Sequence, residues 1–233
     1  MSQRVSGYVR RDLEHYPTPS WCIDALAEHV DLKGKGIWEP ACGTGIMCEA
    51  LVAAGVRYAY ATDIKNHGYH GIKEELDFVS GQNPALTHYD GICTNPPYGD
   101  RGRLAELFIE HGLRRTADYG FLALLLPADF DAAKTRARFF ADCPTFAGQI
   151  TLTKRIKWFD EEVTCKKCDG TGSVSGVRCM PCKGTGKKKS GPSQNHCWYL
   201  WQRTWVGERQ IPRKMYAPRA EFARPALARW RND

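Results

Sequence analysis

The sequence has no apolar run approaching the ~20 residues a membrane-spanning helix requires. Its opening stretch, MSQRVSGYVRRDLEHYP, is polar and lacks the apolar core of a secretory leader. Membrane-embedded functions are therefore not expected, and a reducing, cytoplasmic setting is. Acidic residues are scarce at one end. From Lys183 onward there are twelve Lys/Arg against three Asp/Glu, so the remainder is slightly acidic within a net charge of +7. Such a basic end suits a polyanionic partner, or forms a solvated tail. The third glycine of a dinucleotide fingerprint is missing after Gly43 and Gly45, because Cys48 stands in its place. No nuclease motif is visible. Cysteine, by contrast, is abundant at ten residues. Four form two CxxC pairs and the others are scattered through apolar segments, which favours a metal site with buried thiols over a disulfide framework.

Along the chain, strand-like and helix-like patterns alternate. Trp21 to Val30 has helical spacing after Ser20, a candidate N-cap. Gly36 to Glu39 reads as a strand running into a glycine turn, Ile46 to Ala54 as a helix closed by Gly55, and Tyr58 to Thr62 as a strand ending at Asp63. Tyr89 to Thr94 is a further strand and Leu104 to Arg114 an amphipathic helix. The run GFLALLL from Gly120 reads as a strand covered on both faces. Ala132 to Ala141 is expected to be helical, Gly148 to Trp158 extended, and NHCWYLWQRTW from Asn195 an aromatic strand. This alternation implies an α/β fold, a doubly wound and mostly parallel sheet whose ligands sit beyond the carboxyl ends of the strands. The expected organisation is an N-terminal segment (1–15), a main domain (16–163 and 190–208), a cysteine insertion (164–189) and a basic C-terminal arm (209–233).

Candidate functional residues fall at those strand ends. EPACGTG resembles the first motif of class I S-adenosylmethionine-dependent methyltransferases. The resemblance implies a Rossmann-like, seven-stranded sheet. It also implies cofactor contacts from Glu39, Pro40, Ala41, Gly43 and Gly45, a ribose-binding acid at Asp63, and an adenine-side pair at Asp77 and Phe78. NPPY, from Asn95 to Tyr98, resembles the catalytic motif of amino-methyltransferases, and YPTPSW places Tyr16, Thr18 and Pro19 where DNA adenine methyltransferases line the methionine end of the cofactor. The resemblance spans roughly residues 16–163 and 192–206, and its permuted order and last aromatic strand are similar to small phage- and prophage-encoded members.

The residue types suit the chemistry this implies. An exocyclic amine is a weak nucleophile because its lone pair is delocalised into the ring. Two acceptors, the Asn95 side-chain carbonyl and the Pro96 backbone carbonyl, would hold its two hydrogens and leave the lone pair aimed at the methyl donor. Pro97 holds Pro96 extended, and Tyr98 offers a face for the target base. Asn95 also belongs to the cofactor-side set. A base inside a duplex would have to be flipped out. NPPY denotes an amine or amide acceptor, so RNA or a protein glutamine remains an alternative to adenine N6 in DNA. A non-catalytic zinc-bearing nucleic-acid-binding module is an alternative of another class.

Cys165, Cys168, Cys179 and Cys182 form CxxC-x10-CxxC, two knuckles whose thiolates can close a tetrahedral structural zinc site. Each CxxCxGxG copy resembles the repeat in the zinc region of J-domain chaperones, but the His-Pro-Asp motif of the J domain is absent, so no chaperone role is implied. The insertion should sit at the carboxyl end of the sheet, with Lys166, Lys167, Arg178 and Lys187 to Lys189 offering charge to phosphates. Oligomeric state is left open.

Overall fold

A computed structural model describes residues 16–82, 84–85, 88–158, 162–189, 194–202 and 213–217. The segment 1–15 and most of the basic arm at 209–233 lie outside the described residues.

The main sheet is built from β1 (Gly36–Glu39), β2 (Tyr58–Asp63), β3 (Ile72–Glu75), β4 (Gly91–Thr94), β5 (Phe121–Pro127), β6 (Phe146–Leu152), β11 (His196–Gln202) and β12 (Arg213–Ala217), while β7 (Glu162–Thr164), β8 (Ser173–Val174), β9 (Val177–Arg178) and β10 (Lys187–Lys189) belong to the insertion and its edge. Its order is β12-β6-β11-β5-β4-β1-β2-β3, and only β11 runs antiparallel to its neighbours. The α/β, Rossmann-like expectation holds, with eight strands in place of seven. The extra strand is β12, which pairs parallel to β6.

Strands β1 and β4 are buried throughout, as are the first six residues of β5 and of β11, because layers cover both faces. Period-2 alternation sends Ile37, Leu125 and Trp198 to one core and Trp38, Leu124 and Tyr199 to the other. The helices α1 (Trp21–Ala27) and α2 (Ile46–Ala53) feed the first core, whereas α3 (Arg103–Arg115) and 3-10 turns at Phe130–Ala132 and Lys134–Phe139 feed the second. The buried indoles each find an acceptor: Trp38 donates to Thr62 Oγ1 (2.9 Å), Trp198 to the Cys22 carbonyl (2.8 Å) and Trp201 to the Phe139 carbonyl (2.6 Å).

Local readings differ from expectation in three places. Ser20 has helical dihedrals and makes no side-chain cap; the first turn instead closes through Cys22 N–H to the Pro19 carbonyl (3.0 Å) and Ile23 N–H to the Ser20 carbonyl (2.8 Å). The segment 132–141 forms 3-10 turns because Ala133 is extended and Arg136 binds the Phe130 and Arg101 carbonyls through its guanidinium. The sixth strand ends at Leu152, and residues 153–158 lead to the insertion without regular structure.

β12 depends on one glycine. Gly148 in β6 has φ +132°, and a Cβ there would lie 2.0 Å from the Arg213 carbonyl oxygen. Gly148→Ala is expected to displace β12 and to cost about 1–3 kcal/mol of stability. Denaturant titration, with amide exchange at residues 213–217, checks this; unaltered protection there would show that β12 does not depend on Gly148.

Candidate functional site

Because β1, β2 and β4 run parallel, their carboxyl ends bring Glu39, Asp63 and the start of Asn95-Pro96-Pro97-Tyr98 to one side of the sheet. A cavity of about 350 Å3 opens there. Tyr16, Thr18, Pro40, Ala41, Gly43, Asp63, Asp77, Phe78, Asn95 and Pro97 all line it. Pro19, Glu39, Gly45, Pro96 and Tyr98 do not form its wall.

The turn from β1 into α2 shapes one wall. Gly43, at φ +53°, donates its N–H to Asp63 Oδ2 (2.8 Å), while Lys65 N–H reaches Asp63 Oδ1 (3.3 Å) and His67 Nε2 lies 3.9 Å from the same oxygen. The Asp63 carboxylate is thus fixed at the edge of the cavity, in position to accept from a diol. Gly45 serves packing: at φ +83°, a Cβ would lie 2.2 Å from the Tyr69 ring. Glu39 is fully buried beneath the turn, where its Oε1 accepts from Ala41 N–H (3.1 Å) and its Oε2 has no hydrogen-bond partner among the described residues. Burial pushes its carboxyl well above the usual carboxylate range, and the nearby Asp63 charge adds to this. Glu39 thus braces the turn from below through its bond to Ala41 N–H.

Phe78 is only 2% exposed, lying edge-on to Trp38 (ring centroids 5.1 Å apart) and stacked on Phe108 (4.9 Å). It offers the cavity little more than an edge. Much of the remaining apolar wall comes from residues the sequence reading did not single out: Ile46, Ile64, Leu76, Val79 and Leu104. Ile64 carries a signal that could have been used, since it is an isoleucine directly after a strand-ending acid and is 57% exposed.

At the end of β4 the two halves of the site meet. Asn95 Nδ2 donates to Thr18 Oγ1 (3.0 Å), and the Tyr98 hydroxyl lies 3.3 Å from both Asn95 Oδ1 and the Leu125 carbonyl oxygen. Tyr98 is half-buried against the second core and tethered by its hydroxyl. After it, Gly99 at φ +67° turns the chain into α3, where Leu104 and Ala105 N–H groups bond the Tyr98 carbonyl (3.1 and 3.4 Å). Arg136 clamps this loop by bonding Glu106 Oε1 (2.8 Å) and the Arg101 carbonyl (2.7 Å) while lying 3.8 Å from the Phe130 ring centre.

The insertion forms a second candidate site. Strands β7 (Glu162–Thr164) and β10 (Lys187–Lys189) pair antiparallel as a stem, and β8 (Ser173–Val174) pairs with β9 (Val177–Arg178) at the tip. Cys165, Cys168, Cys179 and Cys182 are buried together, with sulfur atoms within 4.8 Å of one another. Two edges measure 3.8 Å (Cys165–Cys179) and 3.6 Å (Cys168–Cys182). A tetrahedron with metal–sulfur bonds of about 2.3 Å has edges of about 3.8 Å, so the donor set and the spacing fit one zinc ion. The two halves repeat each other. Thr171 Oγ1 donates to the Cys168 carbonyl (2.6 Å) as Thr185 does to Cys182 (2.7 Å), and Cys165 N–H bonds Gly186 (2.9 Å) as Cys179 N–H bonds Gly172 (2.9 Å). Gly172 and Gly186 have positive φ, and a Cβ on either would lie within 2.3 Å of a backbone oxygen. The exterior is basic and carries exposed Val177 and Met180. Below the stem, Arg155 Nε donates to Asn195 Oδ1 (2.8 Å), and Trp158 meets Tyr16 edge-on (5.8 Å). The insertion therefore leaves and rejoins the sheet on the side where the cavity opens.

No protein-family model matches the chain. The ribosomal protein L11 methyltransferase of Histophilus somni strain 2336 is 27% identical over 158 residues, covering 61% of this chain and 49% of that protein. The Legionella pneumophila strain Lens protein of the same name is 30% identical over 105 residues, covering 40% of this chain and 36% of that one. The chain thus spans about half the length, or less, of these curated relatives. Among solved structures, one assigned as a class I S-adenosylmethionine-dependent methyltransferase from Listeria monocytogenes superimposes with a TM-score of 0.56 at 14% identity, covering 98% of this chain and 71% of that one. One assigned as an RNA methyltransferase from Pyrococcus horikoshii gives 0.51 at 13% identity, with coverage of 85% and 91%. One assigned as the modification subunit of a type I restriction enzyme from Vibrio vulnificus gives 0.51 at 13%, with coverage of 88% and 48%. The fold is that of class I methyltransferases. No helix among the described residues is long and apolar enough to cross a membrane.

Proposed function

We propose that the chain is an S-adenosylmethionine-dependent methyltransferase acting on an exocyclic amine, with adenine N6 in DNA as its substrate. The observation that carries this reading is the meeting of Asn95 with the cavity edged by Asp63, through the bond from Asn95 Nδ2 to Thr18. Donor and acceptor sites are then adjacent. S-adenosylmethionine, when bound, supplies a methyl group on a sulfonium leaving group and needs neither metal nor covalent enzyme intermediate. Asp63 would bind the ribose diol, and the apolar wall of Ile64, Leu76 and Val79 would exclude water around the adenine. Asn95 Oδ1 and the Pro96 carbonyl would accept the two amine hydrogens, and Tyr98, held by its hydroxyl, would present its ring to the base. Catalysis on this reading is positioning and preorganised electrostatics.

The four cysteines would hold a structural zinc, since four thiolates leave no open coordination position. A nucleic acid is favoured over a protein acceptor by the charge balance: residues 162–189 carry seven Lys/Arg and two Asp/Glu; the choice of DNA rests on the resemblance of YPTPSW to DNA adenine methyltransferases. The second reading, a protein acceptor, is favoured by the curated relatives, which are named for a ribosomal protein. Incubation with labelled cofactor and, in turn, duplex DNA, ribosomal RNA and ribosomal protein separates these readings, with mass spectrometry of the digested product. N6-methyladenine in DNA is the expected product; label found only in protein would replace the first reading with the second.

The insertion's part in DNA binding has its own test. Replacing residues 164–189 by a short Gly/Ser turn should leave cofactor affinity intact and reduce the log–log salt slope of DNA binding by roughly 2 to 3, the loss of about three phosphate contacts. An unchanged slope with a lowered melting temperature would make the insertion a staple only and leave phosphate binding to the basic chain beyond it.

A further inference from the structure

We infer that Thr18 is the positioning residue for Asn95, setting the orientation of the side-chain amide that receives the acceptor amine. The inference rests on the reading of Asn95 given above. By resemblance Thr18 belongs with the methionine end of the cofactor, yet the polar contact of its hydroxyl is with Asn95 Nδ2 at 3.0 Å, across 77 residues of sequence.

The chemistry makes this contact consequential. The two ends of an asparagine amide are nearly identical in size but opposite in function: Oδ1 accepts hydrogen bonds and Nδ2 donates them. An amine presenting its hydrogens to Asn95 is held by Oδ1 and repelled by Nδ2. Steric fit cannot tell the two apart, so the neighbouring hydrogen bonds must. In this structure Thr18 Oγ1 takes an Nδ2 hydrogen and Oδ1 lies 3.3 Å from the Tyr98 hydroxyl; Thr18 holds this orientation as long as its oxygen acts as the acceptor, since a hydroxyl can also donate. Oδ1 keeps a second lone pair for the amine.

Thr18 is well placed for this role. It is 6% exposed, so water competes little for its hydroxyl. It directly precedes Pro19, whose carbonyl starts α1, and α1 is anchored to the sheet by the bond from Trp198 Nε1 to the Cys22 carbonyl (2.8 Å). Thr18 thus lies three residues ahead of an anchored helix. YPTPSW and NPPY are two halves of one device: the first orients the amide that the second supplies.

The experiment compares wild type, Thr18→Val and Thr18→Ser. Valine keeps the shape and removes the hydroxyl; serine restores it. Thr18→Val should lower kcat at saturating cofactor by about 10- to 100-fold, as expected for misplacement of a catalytic group, with cofactor Kd within about twofold of wild type. Thr18→Ser should recover most of the rate. Retained cofactor binding also shows that the variant is folded. A raised Kd with unchanged kcat would make Thr18 a cofactor ligand and overturn the inference, as would a valine variant unchanged in both. A readout independent of turnover separates this from the functional reading: the Asn95 side-chain NH2 resonance in 15N spectra should gain mobility in Thr18→Val and stay ordered in Thr18→Ser. If wild type methylated no nucleic acid or protein, the functional reading would fall. The positioning inference would then stand or fall on that resonance alone, and equal mobility in all three proteins would overturn it.

Discussion

Asn95→Ala is expected to lower methyl transfer about 100- to 1,000-fold while leaving cofactor affinity nearly unchanged. The loss follows from the role proposed for Asn95 Oδ1, which accepts a hydrogen from the reacting amine; removing one preorganised partner of a reacting group typically costs that much. The cofactor side would be insulated because its proposed polar anchor is Asp63, which accepts from Gly43 N–H at 2.8 Å on another strand. Asp63→Ala should show the reverse pattern, with weakened cofactor binding dominating the loss. Steady-state kinetics at saturating and subsaturating cofactor, with calorimetric Kd, separates the two variants. If Asn95→Ala kept more than a few per cent of activity, Asn95 would not be the amine-positioning group.

The second large effect is expected at the metal centre. Freshly prepared, reduced protein should contain about one zinc per chain, and Cys168→Ser should abolish it. Apart from the four cysteines, almost every described side chain from Glu162 to Lys188 is exposed, and the buried cluster there consists of those cysteines alone. With no apolar core to replace it, bound zinc would supply the folding free energy of the insertion, about 10–16 kcal/mol in comparable thiolate sites. Limited proteolysis should therefore cut Cys168→Ser at the exposed lysines of 166–188 while the sheet, with its own two cores, resists. Chelation should reproduce this pattern and added zinc reverse it. Metal-free wild-type protein with an insertion resistant to protease would refute the assignment.

What could be read from the sequence divides along physical lines. GFLALLL is legible because a strand covered on both faces must be apolar at every position, and the structure buries Phe121 through Leu126. The CxxC pairs are legible because ligand spacing is local. The residues Arg213–Ala217 are not, since RKMYA has no strand-like alternation of its own and becomes β12 only by pairing with β6. Residues 132–141 misled for a similar reason: Arg136 is drawn to Glu106 and to the Arg101 carbonyl, far back along the chain, which no local pattern records. At the site, Gly43, Asp63 and Asn95 stand where strand-end reasoning places them. What their neighbours do required three dimensions. Glu39 is buried beneath the turn, Gly45 makes room for Tyr69, and Thr18 reaches Asn95.

The near-repetition inside the insertion makes its four-thiolate site a matter of one chain alone. One CxxCxGxG copy brings only two thiolates, half of what a tetrahedral ion takes up. A lone copy could complete the shell only by meeting its counterpart on another molecule, in a two-fold, self-complementary contact that dilution would break. In this chain both halves stand together, linked by the turn at Ser175 and Gly176. The encounter becomes intramolecular, with an effective concentration in the millimolar range or above for so short a link. The paired hydrogen bonds of Thr171 and Thr185 keep the imprint of that symmetry. A centre so assembled forms independently of protein concentration, whereas one shared between molecules would not.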